Sequence, residues 1–365
     1  GLESRGLGDV YKRQGQMIDQ NKPVLVTGAT GYVAGRLVEK LLSEGRTVHA
    51  AVRTPDNKEK TKYLDELAAK LPGSIKYFKA DLLDEGSFDA AMKDCELVFH
   101  TASPFARSVN DPQKDLVDPA KKGTRNVLES ANRTDSVKRV VVTSSCVAIY
   151  GDAKDVLSMP NQELTEDIWN TSSSLEHQPY SFSKTEAEKE AWKVAEGQNR
   201  WDLVTINPSF VLGPGINPYG TSESFTIVKQ IGNGDFKMGS PEFNIGCVDV
   251  RDLAEAHFQA GMRPEAKGRY IVSGENAGFG QLAGMIKDKF PQYPISNRKL
   301  PKFLIWLMAP SVGMTRKEVK LNVGFPWKAN NSKSINELGM QYRPLKETIT
   351  EFFEQLVEAG EIKKR

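Results

Sequence analysis

Pro23-Val24-Leu25-Val26-Thr27-Gly28-Ala29-Thr30-Gly31-Tyr32-Val33-Ala34-Gly35 opens with a short apolar run, breaks at glycine and resumes at helical spacing. Val24 to Val26 read as a strand buried on both faces, the form that strands take in a parallel sheet. Val33, Leu37, Val38, Leu41 and Leu42 then recur at helical intervals, and Gly45 stops the helix they imply. Between strand and helix, Gly28 and Gly31 permit a tight turn and a close passage of backbone past a phosphate. The helix that follows aims free N–H groups and the positive end of its dipole at the same point. This order describes a dinucleotide-binding unit, with Gly28, Thr30, Gly31, Tyr32 and Val33 forming the binding turn. The third glycine position of such turns carries Ala34, with Gly35 beside it. That position serves helix packing, which alanine tolerates.

The pattern repeats outward from this unit. Apolar strands at 47–52, 75–80, 97–100, 139–143 and 203–206 alternate with helices at 56–71, 85–93 and 119–132 and with one running from Tyr180 to about Glu196. Uninterrupted apolar strands alternating with helices predict an α/β fold, a doubly wound parallel sheet of the Rossmann type. Past Pro208 the regularity fails, at Gly213-Pro214-Gly215 and Asn217-Pro218-Tyr219-Gly220. Residues 21–208 are therefore assigned to a cofactor domain, to which 246–274 return. Residues 209–245 and 275–365 are assigned to a smaller substrate lobe that ends in a helix at 345–359. Residues 1–20 are polar and aperiodic, and Leu7-Gly8-Asp9-Val10-Tyr11-Lys12-Arg13-Gln14 resembles a translated cloning adapter. That extension is expected to be disordered, and it reads as neither a signal peptide nor a convincing transit peptide.

Bulk properties exclude several classes. The 365 residues are 39 % hydrophobic and 26 % charged, with a net charge of +2. Composition gives no support for nucleic-acid or membrane-surface binding. No run reaches the roughly 20 apolar residues that span a bilayer. The longest, 303–309, lies between Pro301 and Pro310. Cys95, Cys146 and Cys247 are widely separated, and His49, His100, His177 and His257 show no ligand spacing. A cytoplasmic protein with reduced thiols and no metal is expected.

The end of the second strand, Val52-Arg53, bears on the choice of dinucleotide. A carboxylate there binds ribose hydroxyls, whereas a cation accommodates a 2′-phosphate. No acid precedes Asp56, and Arg53 carries a planar fork suited to phosphate and to stacking on adenine, so NADP is expected. Asp81-Leu82 follows the third strand, where a carboxylate can accept from the adenine amino group or cap the next turn. Thr101-Ala102-Ser103 follows the fourth, where small side chains let backbone pass beneath ribose and nicotinamide. Thr143-Ser144-Ser145 ends the next strand, and Tyr180-Ser181-Phe182-Ser183-Lys184 places an ammonium one helical turn beyond a phenol. A free phenol, with a pKa of about 10, exchanges protons poorly near neutrality, and adjacent positive charge favours its phenolate. Ser145 can hydrogen-bond a substrate oxygen beside Tyr180. The catalytic candidates are Ser145, Tyr180 and Lys184, with Ser144 as the alternative hydroxyl.

From about Pro23 onward the chain resembles an extended short-chain dehydrogenase/reductase of the dihydroflavonol reductase, cinnamoyl-CoA reductase and aldehyde/ketone reductase branch. The resemblance rests on the glycine turn, Val52-Arg53, Phe99-His100-Thr101-Ala102-Ser103-Pro104-Phe105, Thr143-Ser144-Ser145, Tyr180 to Lys184 and Ile206-Asn207-Pro208-Ser209. Val250-Arg251-Asp252-Leu253-Ala254-Glu255-Ala256-His257 and Tyr342-Arg343-Pro344-Leu345 also fit. It implies Ser/Tyr/Lys catalysis with NADPH, Arg53 and Lys60 at the 2′-phosphate, and Pro208 with Val211 near the nicotinamide. The expected partner is a small carbonyl or alcohol substrate met by a monomer or homodimer. Phe105, Cys146, Ala148, Tyr150, Phe210 and Tyr219, and helix 303–308, are candidate pocket walls. A 3β-hydroxysteroid dehydrogenase-like enzyme and a sugar-nucleotide epimerase are the enzymatic alternatives, with Arg53 against the NAD-holding epimerase. A non-catalytic redox sensor on the same fold is the third, and the Tyr180/Lys184 pair speaks against it.

Overall fold

The computed structural model describes residues 17–104 and 108–365. In the first half, β1 (Val24–Thr27), α1 (Tyr32–Ser43), β2 (Thr47–Val52), α2 (Lys58–Lys70), β3 (Ser74–Lys79), α3 (Asp89–Met92) and β4 (Leu97–His100) alternate. Then come α4 (Asp118–Arg133), β5 (Arg139–Thr143), α5 (Pro179–Glu196) and β6 (Asp202–Pro208). After them lie β7 (Phe210–Leu212), α6 (Glu223–Asn233), β8 (Asn244–Asp249), α7 (Val250–Met262), β9 (Gly268–Val272) and β10 (Asn276–Gly278). The chain closes with α8 (Phe279–Lys289), α9 (Lys302–Met308), α10 (Arg316–Asn322), α11 (Ser332–Leu338) and α12 (Leu345–Glu358).

Seven parallel strands form one sheet in the order β3-β2-β1-β4-β5-β6-β9. This is the doubly wound order, extended by a seventh strand. Successive side chains of β1 serve opposite layers, as strand geometry demands. Val24 and Val26 pack with α1 and α7 through Leu37, Leu41 and Leu253, while Leu25 joins Val98, Leu128, Ala191 and Trp201 on the other face. A third core holds the smaller lobe together through Phe225, Ile349, Phe352 and Phe353. Sequential strands β1 and β2 build outward one way, and β4 starts again on the far side of β1. A crevice therefore opens at their carboxyl ends.

Four local expectations differ. Strand β3 alternates between exposed and part-buried positions because it lies at the sheet edge. The helix expected at 85–93 shrinks to α3, since Gly86 adopts a positive φ of 79° and the Ser87 hydroxyl donates to the Asp81 carbonyl at 2.7 Å. Strand β8, read as returning to the large sheet, pairs instead with β7 in parallel and β10 antiparallel. The chain leaves β6 at Ser209, and β7 carries it into this second sheet, so only α7 and β9 come back. Residues 1–16 of the expected disordered extension lie outside the described residues. Its last part is ordered: Ile18 is buried, and the Asp19 N–H donates to Glu96 Oε1 at 2.9 Å.

Candidate active site

The end of β1 is stitched to the end of β4 by one side chain. Thr27 Oγ1 accepts from the backbone N–H groups of Thr101 and Ala102 at 3.1 and 3.2 Å. Both lone pairs being used, its proton goes to His100 Nδ1 at 2.8 Å, which leaves that imidazole protonated on Nε2. Burial, and then the Lys184 charge, push the His100 pKa down to about 4, so the ring is neutral. Gly28 has φ +58°, and a Cβ there would meet the Ala102 Cβ at 2.7 Å. Only glycine fits this crossing. The cap of α1, Gly31, makes no side-chain hydrogen bond, and no acid occupies the first turn, so the helix presents uncompensated N–H groups. Ala34 is buried without conflict, and the close approach falls on Gly35, where a Cβ would lie 2.8 Å from Ile216. A narrow glycine crossing under a bare helix N-terminus fits a dinucleotide pyrophosphate.

Sixteen of the seventeen site residues read from the sequence line one cleft of about 820 Å³. The turn from Gly28 to Val33, Arg53, Asp81-Leu82 and Thr101 to Ser103 form one end, and Ser145, Tyr180, Lys184, Pro208 and Val211 the other. Lys60 is the exception: it is exposed on the first turn of α2 and does not line the cleft. Arg53 is exposed at the rim and forms no ion pair among the described residues. The Asp81 carboxylate accepts the Leu83 N–H at 2.9 Å, so it caps its own turn while facing the cleft. Cys146, Tyr150 and Phe210 also line the space, whereas Ala148, Tyr219 and α9 do not. Phe105 lies outside the described residues.

Strand β5 delivers Ser145 in extended conformation just before a 3-10 turn at Cys146–Ala148. Ser145 Oγ accepts the Val147 N–H at 3.2 Å, which leaves its own proton free to point into the cleft. Tyr180 stands on the first turn of α5 behind Pro179, with its side chain 59 % exposed to the cleft opening. Lys184 Nζ lies 5.5 Å from the centre of the Tyr180 ring. The residue before the helix, Gln178, adopts a left-handed conformation with φ 58°, an uncommon and costly state for a side chain of this kind. Its neighbour His177 places Nε2 2.9 Å from both carboxylate oxygens of Asp152, and Asn322 of α10 donates to the same carboxylate at 2.9 Å. The far lobe thus braces the start of the tyrosine helix.

The sequence reading missed two groups. Asn207, on β6, donates to the Ser145 carbonyl at 3.1 Å and to Glu188 Oε1, while Arg269 pairs with Glu188 at 2.7 Å. All three are buried, so the segment that bears Ser145 just after β5 and the helix that bears Tyr180 share one ionic clamp. The second group comprises the hydroxyls of Ser209 and Ser222, which, like that of Ser144, already named as the alternative hydroxyl, are buried at the cleft wall without a hydrogen-bond partner among the described residues. Native proteins seldom leave such groups unpaired, so they mark places where bound polar atoms belong. Ser222 was findable as the capping position just before α6; the clamp had no signal at all.

Comparison with known proteins gives a consistent picture. A model described as the NAD dependent epimerase/dehydratase family matches residues 24–273. A cinnamoyl-CoA reductase of Medicago truncatula is 35 % identical over 341 residues, covering 92 % of this chain and 95 % of that protein. A dihydroflavonol 4-reductase of Gerbera hybrida is 35 % identical over 317 residues, 86 % of this chain and 83 % of its own. Among solved structures, a yeast methylglyoxal/isovaleraldehyde reductase complexed with NADPH superposes with a TM-score of 0.75 at 28 % identity. That match covers 93 % of this chain and 99 % of the yeast chain.

Proposed function

The chain belongs to the NAD dependent epimerase/dehydratase family, and from that premise we propose that it is an NADPH-dependent reductase of a small or aromatic aldehyde or ketone. One observation carries the reading: Ser145, Tyr180 and Lys184 share a cleft with the glycine turn at Gly28. The relatives named above are reductases, and the yeast neighbour is an NADPH complex, which supports both activity and cofactor. Arg53, without an ion pair among the described residues at the rim where an acid would select NAD, supports the phosphorylated form.

When bound, NADPH supplies a hydride to the carbonyl carbon. The protein's task is to hold the carbonyl and to provide a proton. Ser145, its oxygen occupied by the Val147 N–H, donates to the carbonyl oxygen and fixes it beside Tyr180. The Tyr180 phenol gives its proton to that oxygen, producing the alcohol, and the nearby Lys184 ammonium stabilises the phenolate left behind. Tyr150 and Phe210 on the wall favour an apolar or aromatic substituent on the substrate.

The test is NADPH oxidation by purified protein against a panel of aldehydes and ketones. Tyr180→Phe is expected to lower kcat at least about 100-fold, the scale of general acid catalysis, while NADPH affinity stays within a few-fold. Turnover that survives this change overturns the proton-donor role.

A further inference from the structure

The stretch 298–320 has no part in the cleft, although its helix looked like a pocket wall. Ile305 and Ala309 face inward and pack with Val319 and Val323. The outer side of the hairpin formed by α9, a 3-10 turn and α10 is apolar instead of polar. Phe303 is 66 %, Leu307 58 % and Val312 59 % exposed, and Trp306 and Met308 are nearly half exposed. Phe303, Trp306 and Leu307 share one helical face. Five of the twelve exposed large hydrophobic residues among those described fall between positions 303 and 312. Single exposed leucines need no explanation, but a cluster does.

Charge gives the cluster its direction. The same stretch holds Arg298, Lys299, Lys302, Arg316, Lys317 and Lys320 against a lone acid, Glu318. The Arg316 guanidinium lies over the Trp306 ring at 4.2 Å, which fixes positive charge at the edge of the apolar surface. Glu242 offsets Lys299 at 3.1 Å, and Lys154 adds a further cation near Lys302. Among the described residues no helix is long and apolar enough to cross a membrane, so any lipid contact here is peripheral.

We propose that this hairpin seats the protein on an anionic phospholipid surface. Phe303, Trp306, Leu307 and Val312 enter the headgroup boundary, and the surrounding cations meet lipid phosphates and carboxylates. Interfacial elements combine these two features, an apolar face with aromatic residues and a basic flank. A second copy of this chain would satisfy only the apolar half, because a twofold pairing through the patch sets its cations against their own equivalents.

The experiment is co-sedimentation of the whole protein with vesicles of phosphatidylcholine, with and without phosphatidylserine, at low and high salt. Binding is expected only with phosphatidylserine, and salt should release it. Leu307→Glu, and separately Lys317→Glu with Lys320→Glu, should each reduce partitioning about tenfold or more. Ile335→Glu, at an exposed position on α11, should change nothing. Unaltered thermal midpoints in all variants show that the fold survives. Absence of binding, equal binding to both vesicle types, or binding that Leu307→Glu leaves intact overturns the proposal. A dimer in light scattering that Leu307→Glu dissociates also overturns it, by assigning the patch to a second copy.

Discussion

Arg53 follows β2 at the rim of the cleft with no carboxylate to hold it among the described residues, and a 2′-phosphate is the anion that such a position reads. A charge-assisted hydrogen bond contributes about 1.5–3 kcal/mol, so Arg53→Ala should weaken NADPH by roughly 10- to 100-fold. NADH affinity should move by no more than a few-fold. Titration of both cofactors into the variant checks this, and equal losses would refute phosphate reading by Arg53. Lys60 sharpens the comparison. Resemblance pairs it with Arg53 at the phosphate, but its side chain is exposed outside the cleft wall. Lys60→Ala is therefore expected to cost NADPH less than Arg53→Ala does. A loss as large would mean that α2 moves inward when the cofactor binds.

At the level of elements, legibility followed burial. Strands β1, β4 and β5 are enclosed on both faces and spell continuous apolar runs, so their places and types could be read directly. Strands β7 and β10 have three residues each, too few for any periodicity, and both pair with a strand distant in sequence: Phe210 of β7 meets Cys247, and Asn276 of β10 meets Gly246 with α7 and β9 between them. Helix α5 shows the opposite limit. Its Tyr180/Lys184 pair, proposed as catalytic, stands out through the four-residue spacing, yet its buried face carries Ser181, Ser183, Thr185, Glu188 and Glu190, which pattern reading sends to solvent. Glu188 is buried because Arg269 from β9 and Asn207 from β6 meet it, and such distant partners leave no trace in local sequence. Glu188→Ala strands the Arg269 guanidinium in a buried site, and loss of one partner of such a pair costs about 3–5 kcal/mol. Urea denaturation should register this loss, together with a lower kcat, since Asn207 also holds the Ser145 carbonyl. A variant as stable as the parent would show that the clamp contributes nothing.

Over the whole molecule, acid sensitivity should come chiefly from two buried imidazoles, His100 at the end of β4 and His257 on α7, with the part-buried His49 of β2, its pKa also lowered by burial, adding to them. His257 on α7 faces the Thr143 hydroxyl at 2.6 Å and the Leu253 carbonyl at 2.8 Å, and burial pushes its pKa down to about 4, as it does for His100. Unfolded, both return to about 6.5. Between those values the unfolded chain binds protons that the folded one refuses. Stability is thus fully present above about pH 6.5 and falls as pH drops toward 4, where the contribution levels off. Each full shift corresponds to an upper bound of about 3 kcal/mol. Glu166 and Asp252 oppose the trend, because burial raises both carboxyls and acid relieves them. Asp249, held low by Arg251, and Asp89, held low by Arg133, add their losses only at more acidic pH. Urea midpoints measured from about pH 7 down to about pH 4.5 should therefore decline from near 6.5 onward, with the two histidines dominating. His257→Gln removes one of the two largest of these titrations and should make that decline visibly shallower, whatever it costs in stability near neutrality. A slope identical to the parent's would place the acid sensitivity elsewhere in the molecule.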